Sequence, residues 1–247
     1  DAILARITPT DDFALLHGCD LIIEAVFEDI AIKAETTRKA EVVIPVSTVY
    51  ASNTSTLPIT KLAEASARPD QFIGLHFFSP VDRMGLVEII KGEKTSPATL
   101  AVAMDFVAKL RKTPIVVNDS RGFYTSRVFQ TLIHEGAAML AEGVPPAVVE
   151  NAAKAVGMPV GPLALLDELT FDLPLKIVEQ AIEQEGDKYV LPAGVAVLKA
   201  MKAAGRSSKK DGAGFYHYPA EGGKHLWKGL AELFPVSDNY DVEQLKQ

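Results

Sequence analysis

Up to about Val117 the sequence keeps returning to one pattern: a short apolar run, a longer amphipathic stretch, then another apolar run. Such alternation marks βαβ units, because a chain returning to the same edge of a parallel sheet needs a helix to carry it back. The pattern predicts strands at Asp20–Val26, Thr48–Ala51, Phe72–Phe77, Leu86–Ile90 and Pro114–Val117, with helices over Glu28–Val43, Ile59–Ser66 and Pro97–Leu110. Beyond Asn118 no convincing strand follows. Helical patterns rich in Ala, Leu and Val take over at Gly122–Glu142, Pro145–Val156, Pro162–Glu183 and Pro192–Ala203. An α/β domain over 1–117 and an all-α domain over 118–247 are therefore expected. Pro145 and Pro146 suit a helix start, and Gly157 and Gly205 suit helix ends. The tail Asp211–Tyr216 reads as a glycine-rich loop whose aromatics clamp it to the body.

Composition excludes several classes. With 247 residues, 48% hydrophobic and 23% charged, the chain can bury a sizeable core, and its net charge of −7 argues against a nucleic-acid partner. The single cysteine, Cys19, forms no internal disulfide and sits in no metal-ligand spacing, which suits a reducing compartment and no metal. No apolar stretch approaches the ~20 residues of a membrane span. The first residue is Asp1 rather than Met, and the last residues, Val242–Lys246, follow a helical pattern. Both ends are expected to continue into a longer polypeptide.

Common catalytic motifs are missing. The sequence has no Gly-x-Gly-x-x-Gly, Walker-type loop, His-Glu-x-x-His, Cys-x-x-Cys or Gly-x-Ser-x-Gly. Attention falls instead on His76, which ends the apolar run Ile73-Gly74-Leu75-His76. In sheets of this class ligands bind beyond the carboxyl ends of strands, so His76 is placed for acid–base work, although a core histidine bonded to a backbone carbonyl has the same pattern. Glu88 lies inside Leu86-Val87-Glu88-Ile89-Ile90. It is either on an edge strand facing water or buried, and burial would require a partner. A turn over Pro80–Gly85 could set the two strands side by side, letting Glu88 fix the tautomer of His76 and steady its imidazolium. Ser52-Asn53-Thr54-Ser55-Thr56 follows a strand and precedes a helix, so its hydroxyls either cap that helix or face the same crevice. Asn118-Asp119-Ser120-Arg121-Gly122 has a cap reading for the long helix after it.

Taken in order, Asp20–Glu28, Ala51–Ser55, Gly74–Pro80, Leu86–Ile90 and Gly157–Pro162 resemble the 3-hydroxyacyl-CoA dehydrogenase family, and most closely the dehydrogenase part of bacterial multifunctional β-oxidation proteins. The resemblance implies a Rossmann-like domain, here N-terminally truncated, followed by a helical domain used for dimerisation and substrate contact. It implies NAD as cofactor and an acyl-CoA substrate. His76 would be the general base, Glu88 its partner and Ser55 the hydroxyl on the substrate oxygen, with Asn53 near the nicotinamide. Glu28 and Lys33 would touch the dinucleotide, unless they form only a solvated ion pair at a helix start. Ser79 and Ser126 stand where the family commonly has asparagine, at cofactor-side and substrate-side positions respectively. The resemblance further implies a homodimer or packing on a second helical repeat, an enoyl-CoA hydratase domain upstream, a thiolase subunit as a partner of the whole protein, and a bacterial cytoplasmic location. The family's glycine-rich turn would precede Asp1, so the chain alone is expected to be inactive. A non-catalytic relative of the same fold and a 3-hydroxybutyryl-CoA dehydrogenase are the competing expectations; intact His76, Glu88 and Ser55 favour an enzyme.

Overall fold

The computed structural model describes residues 2, 4–237, 240, 241 and 243. The helical pattern at Val242–Lys246 lies outside them except for Glu243. Two compact units divide the chain, Asp1–Arg127 and Val128–Gln247.

In the first unit the order is β1 (Leu21–Glu24), α1 (Ile30–Glu41), β2 (Val49–Ser52), α2 (Ile59–Ala63), β3 (Phe72–Phe77), β4 (Leu86–Lys91), α3 (Pro97–Lys109) and β5 (Thr113–Asn118). The five strands form one sheet in the order β1-β2-β3-β4-β5. Neighbours are parallel except β3 and β4, which run antiparallel. The parallel sheet expected from the βαβ pattern is thus interrupted at one pair, and the reason is chain length. The link from Phe78 to Gly85 is too short for a crossover, which needs a dozen or more residues, so the chain can only turn back.

Side chains alternate across the sheet. Phe72 and Ile90 face α1 and α2 in a cluster with Tyr50, Ile59, Leu62 and Phe123. Ile73, Leu75, Val87 and Ile89 face α3, against Ala103 and Val107. By the same period of two, His76 and Glu88 fall on the α1/α2 face. Gly74 is required there: a Cβ would come within 2.8 Å of Ile59 and 2.9 Å of Ile90.

Caps fix the helix starts. The Asp29 side chain accepts from Ile32 N–H at 2.9 Å and Ser96 from Thr99 N–H at 3.2 Å. Asp119 accepts from Ile59 N–H at 2.9 Å and Thr60 N–H at 2.7 Å, so it caps α2 rather than the long helix that follows it. The Ser52–Thr56 run supplies no cap to α2 either.

The long helix α4 (Thr125–Ala141) begins in the first compact unit and continues into the second, which holds α5 (Pro146–Ala155), α6 (Pro162–Glu168), α7 (Asp172–Glu185) and α8 (Gly194–Ala203). Pro146 takes the first turn of α5, and Gly157 and Gly205 end helices with φ of 100° and 73°. The single helix expected over Pro162–Glu183 is broken at Leu169–Phe171. Pro174 explains the break: inside a continuous helix it would delete a hydrogen bond and clash with the preceding turn, whereas in the first turn of α7 its missing N–H costs nothing. Phe171 is thereby turned inward, packing on Phe215 with ring centroids 5.2 Å apart. The tail is held as expected through its aromatics, and also by Asp167, which accepts from Phe215 N–H at 2.7 Å and Tyr216 N–H at 2.8 Å. A small ladder of β6 (Tyr216–His217) and β7 (His225–Leu226), followed by α9 (Leu230–Leu233), completes the unit. Two-residue strands carry no periodicity, so sequence pattern alone predicts an all-helical unit.

Candidate active site

The reversal between β3 and β4 sets His76 directly opposite Glu88 in the ladder. Their side chains meet, His76 Nδ1 to Glu88 Oε2 at 2.7 Å. Glu88 is 0% exposed and His76 8%. β4 lies between β3 and β5, so the edge-strand alternative for Glu88 does not hold. Antiparallel pairing also means that the carboxyl end of β3 meets the amino half of β4, and only His76 sits at a strand's carboxyl end.

A buried carboxylate needs donors, and Glu88 has them. Oε1 accepts from Tyr124 N–H at 3.2 Å and Thr125 N–H at 2.9 Å, both at the start of α4. Oε2 accepts from Thr125 Oγ1 at 2.7 Å. Burial acts to raise the pKa of Glu88, but the bonds from His76 and Thr125 outweigh it and hold the group below the ordinary carboxylate range. An ionised Glu88 accepts the Nδ1 proton of His76, and this leaves Nε2 as the basic nitrogen. The imidazole packs on Phe78 at 4.5 Å and near Phe123 at 6.1 Å between centroids.

A second cluster gathers beyond the ends of β1 and β2. Glu28 Oε1 accepts from Thr54 Oγ1 at 2.6 Å, Ser55 N–H at 3.0 Å and Thr56 N–H at 3.1 Å, with Ser55 Oγ at 3.4 Å. Burial raises its pKa, and the Thr54 hydroxyl, the Lys33 charge and the Thr56 and Ser55 amides together bring it below the usual value. Lys33 is 2% exposed, so the solvated ion pair does not describe it. Its Nζ lies 3.1 Å from both oxygens of Glu24 and 3.4 Å from Glu28 Oε2. The Ser52 hydroxyl donates to Glu24 as well. Asn53 links the two clusters, its Oδ1 accepting from Phe77 N–H, next to His76, at 2.9 Å.

The structure thus brings together His76 with Glu88, and Glu28 with Ser55 and Lys33. Ser79, exposed after β3, and Ser126, half-buried in the first turn of α4, make no hydrogen bond to either cluster among the described residues. Sequence reasoning missed Glu24 and Thr125. Glu24 carried a usable signal, a carboxylate closing an apolar strand as Glu88 interrupts one; Thr125 carried none.

Residues 1–120 match the family model described as 3-hydroxyacyl-CoA dehydrogenase, NAD binding domain, and residues 122–218 match the 3-hydroxyacyl-CoA dehydrogenase C-terminal domain. A fatty acid oxidation complex subunit alpha from Shewanella loihica is 41% identical over 246 residues, covering 98% of this chain and 34% of that protein. Its counterpart from Shewanella amazonensis is 42% identical over 239 residues, covering 96% of this chain and 33% of that protein. The chain spans about a third of the length of these curated relatives. Among solved structures, (S)-3-hydroxybutyryl-CoA dehydrogenase from Ralstonia eutropha superposes with a TM-score of 0.79 at 35% identity, over 87% of this chain and 76% of that one. The 3-hydroxybutyryl-CoA dehydrogenase from Escherichia coli gives a TM-score of 0.80 at 30% identity, over 89% and 47%.

Proposed function

Because the chain belongs to the 3-hydroxyacyl-CoA dehydrogenase family, we propose that it carries the reacting residues for NAD-dependent oxidation of (S)-3-hydroxyacyl-CoA to 3-ketoacyl-CoA in fatty-acid β-oxidation. The observation that carries this reading is the buried His76–Glu88 pair at 2.7 Å. When bound, NAD would supply the hydride acceptor for C3 of the substrate. His76 Nε2 takes the proton of the 3-hydroxyl, and Glu88 steadies the imidazolium through Nδ1. Ser55 hydrogen-bonds the substrate oxygen, and Ser126 extends the polar lining on the acyl-CoA side.

The residues fit one half of the cofactor. Glu28, Asn53 and Ser55 gather where parallel strands β1 and β2 end, a setting that takes ligands in sheets of this class, and they suit the nicotinamide ribose. Lys33 acts through Glu28, whose carboxylate it holds, and Ser79 faces the cofactor side. The 247 residues contain no Gly-x-Gly-x-x-Gly turn to hold the pyrophosphate. This chain alone should therefore bind NADH at millimolar Kd or weaker, at most about −4 kcal/mol, and turn over no substrate. For the helical unit we propose a homodimer or packing on a second helical repeat; the adjacent exposed side chains Val190 and Leu191 are apolar surface available to it. The relatives named as subunit alpha of a complex support a partner subunit for the whole protein; with it we propose a thiolase as that partner, an upstream hydratase domain and a cytoplasmic bacterial location.

Mixing the full-length protein with acetoacetyl-CoA and NADH tests the reading. Nicotinamide absorbance should fall, and it should stay flat with these 247 residues alone. A flat trace from both would support the non-catalytic alternative. Activity confined to four-carbon substrates would point to a 3-hydroxybutyryl-CoA enzyme, as in the two superposed structures.

A further inference from the structure

Glu88 Oε2 accepts two hydrogen bonds of equal length, from His76 Nδ1 and from Thr125 Oγ1, each 2.7 Å. Oε1 is held by the amides of Tyr124 and Thr125. These amides come with any helix that starts there, so they depend little on side-chain identity. The Thr125 hydroxyl depends on it. A glutamate's last torsion is broad, so donors on Oε1 alone leave the carboxylate plane free to turn; a donor on Oε2 removes that freedom. We propose that Thr125 is a positioning residue for the dyad, its hydroxyl holding the Glu88 carboxylate in the plane that presents Oε2 to His76 Nδ1.

The inference rests on the reading of His76 and Glu88 as the reacting pair. Other titratable side chains on the elements around the pair are Lys33, Glu35, Arg38, Lys39 and Glu41 on α1, Lys61 on α2, Lys91 on β4, Asp119, Arg121 and Tyr124 on the segment entering α4, and Arg127, His134 and Glu135 on α4. Substitution at Thr125 changes none of them, so an altered titration of Glu88 reports the lost hydroxyl. Hydrogen bonding to the charged form of an acid favours that form, and removing a donor shifts its titration upward.

The test is a carboxyl ¹³C NMR titration of Glu88 in this chain. In Thr125→Val, which keeps the side-chain shape, the Glu88 midpoint should move up toward the ordinary carboxylate range; in Thr125→Ser it should stay with the parent. Thr125→Ala repeats the comparison with a smaller side chain should valine disturb the fold. An unmoved midpoint in the variants lacking a hydroxyl, with β3 and β4 amide resonances intact, overturns the proposal. So does an equal shift with serine, which would mark a packing role. The titration needs no turnover, so its outcome is separate from whether His76 is the base.

Discussion

Replacing His76 with alanine in the full-length protein should lower turnover with acetoacetyl-CoA and NADH by roughly 10²–10⁴-fold, the contribution of a positioned general acid–base. The KM for NADH should change little, since His76 is assigned to the proton and not to the dinucleotide. Steady-state kinetics read both numbers, and circular dichroism of the variant guards against a folding loss, as His76 is buried on Phe78. Turnover near that of the parent would mean that another group moves the proton.

Glu88→Ala should damage the fold as well as the chemistry. The variant strands four donors at once: the Tyr124 and Thr125 amides, the Thr125 hydroxyl and His76 Nδ1. A buried donor left unsatisfied costs about 1–3 kcal/mol, and several are left at once here, against a whole-domain stability of about 5–15 kcal/mol. Urea unfolding followed by a probe in the α/β unit measures the loss. A decrease below about 1 kcal/mol, the net value of one ordinary hydrogen bond, would show that water replaces the carboxylate and that the cluster is loosely held. Glu88→Gln separates the roles: it retains volume and one acceptor, so stability should recover in part while the imidazole loses its anionic partner.

Most strands and helices were legible because periodicity survives in elements of ordinary length. Phe72–Phe77 alternates cleanly between two apolar faces, and Pro97 after Ser96 announces a helix with its cap in place. What failed were features set by the chain between elements. The direction of β4 depends on the short Phe78–Gly85 link, which apolar pattern does not weigh. The break before α7 was written in Pro174, yet the apolar run masked it. In the site, His76 and Glu88 could be paired because a histidine and a carboxylate in apolar strands each need a partner. The Lys33–Glu24 pair was not legible in the same way. Lys33 lies on a helix start where lysines are ordinarily solvated, and only the fold turns it onto Glu24. The Thr125 contact joins residues far apart in sequence, at the start of a helix where a hydroxyl has many uses.

The central claim is that Glu88 holds His76 with its proton on Nδ1 and Nε2 free to act as base. Imidazole ¹⁵N NMR of this chain at about pH 9, above the ordinary imidazole range, reads the tautomer directly. His76 should show a protonated Nδ1 and an unprotonated Nε2, and that preference should be lost in Glu88→Gln. A proton found on Nε2 in the parent chain would contradict it.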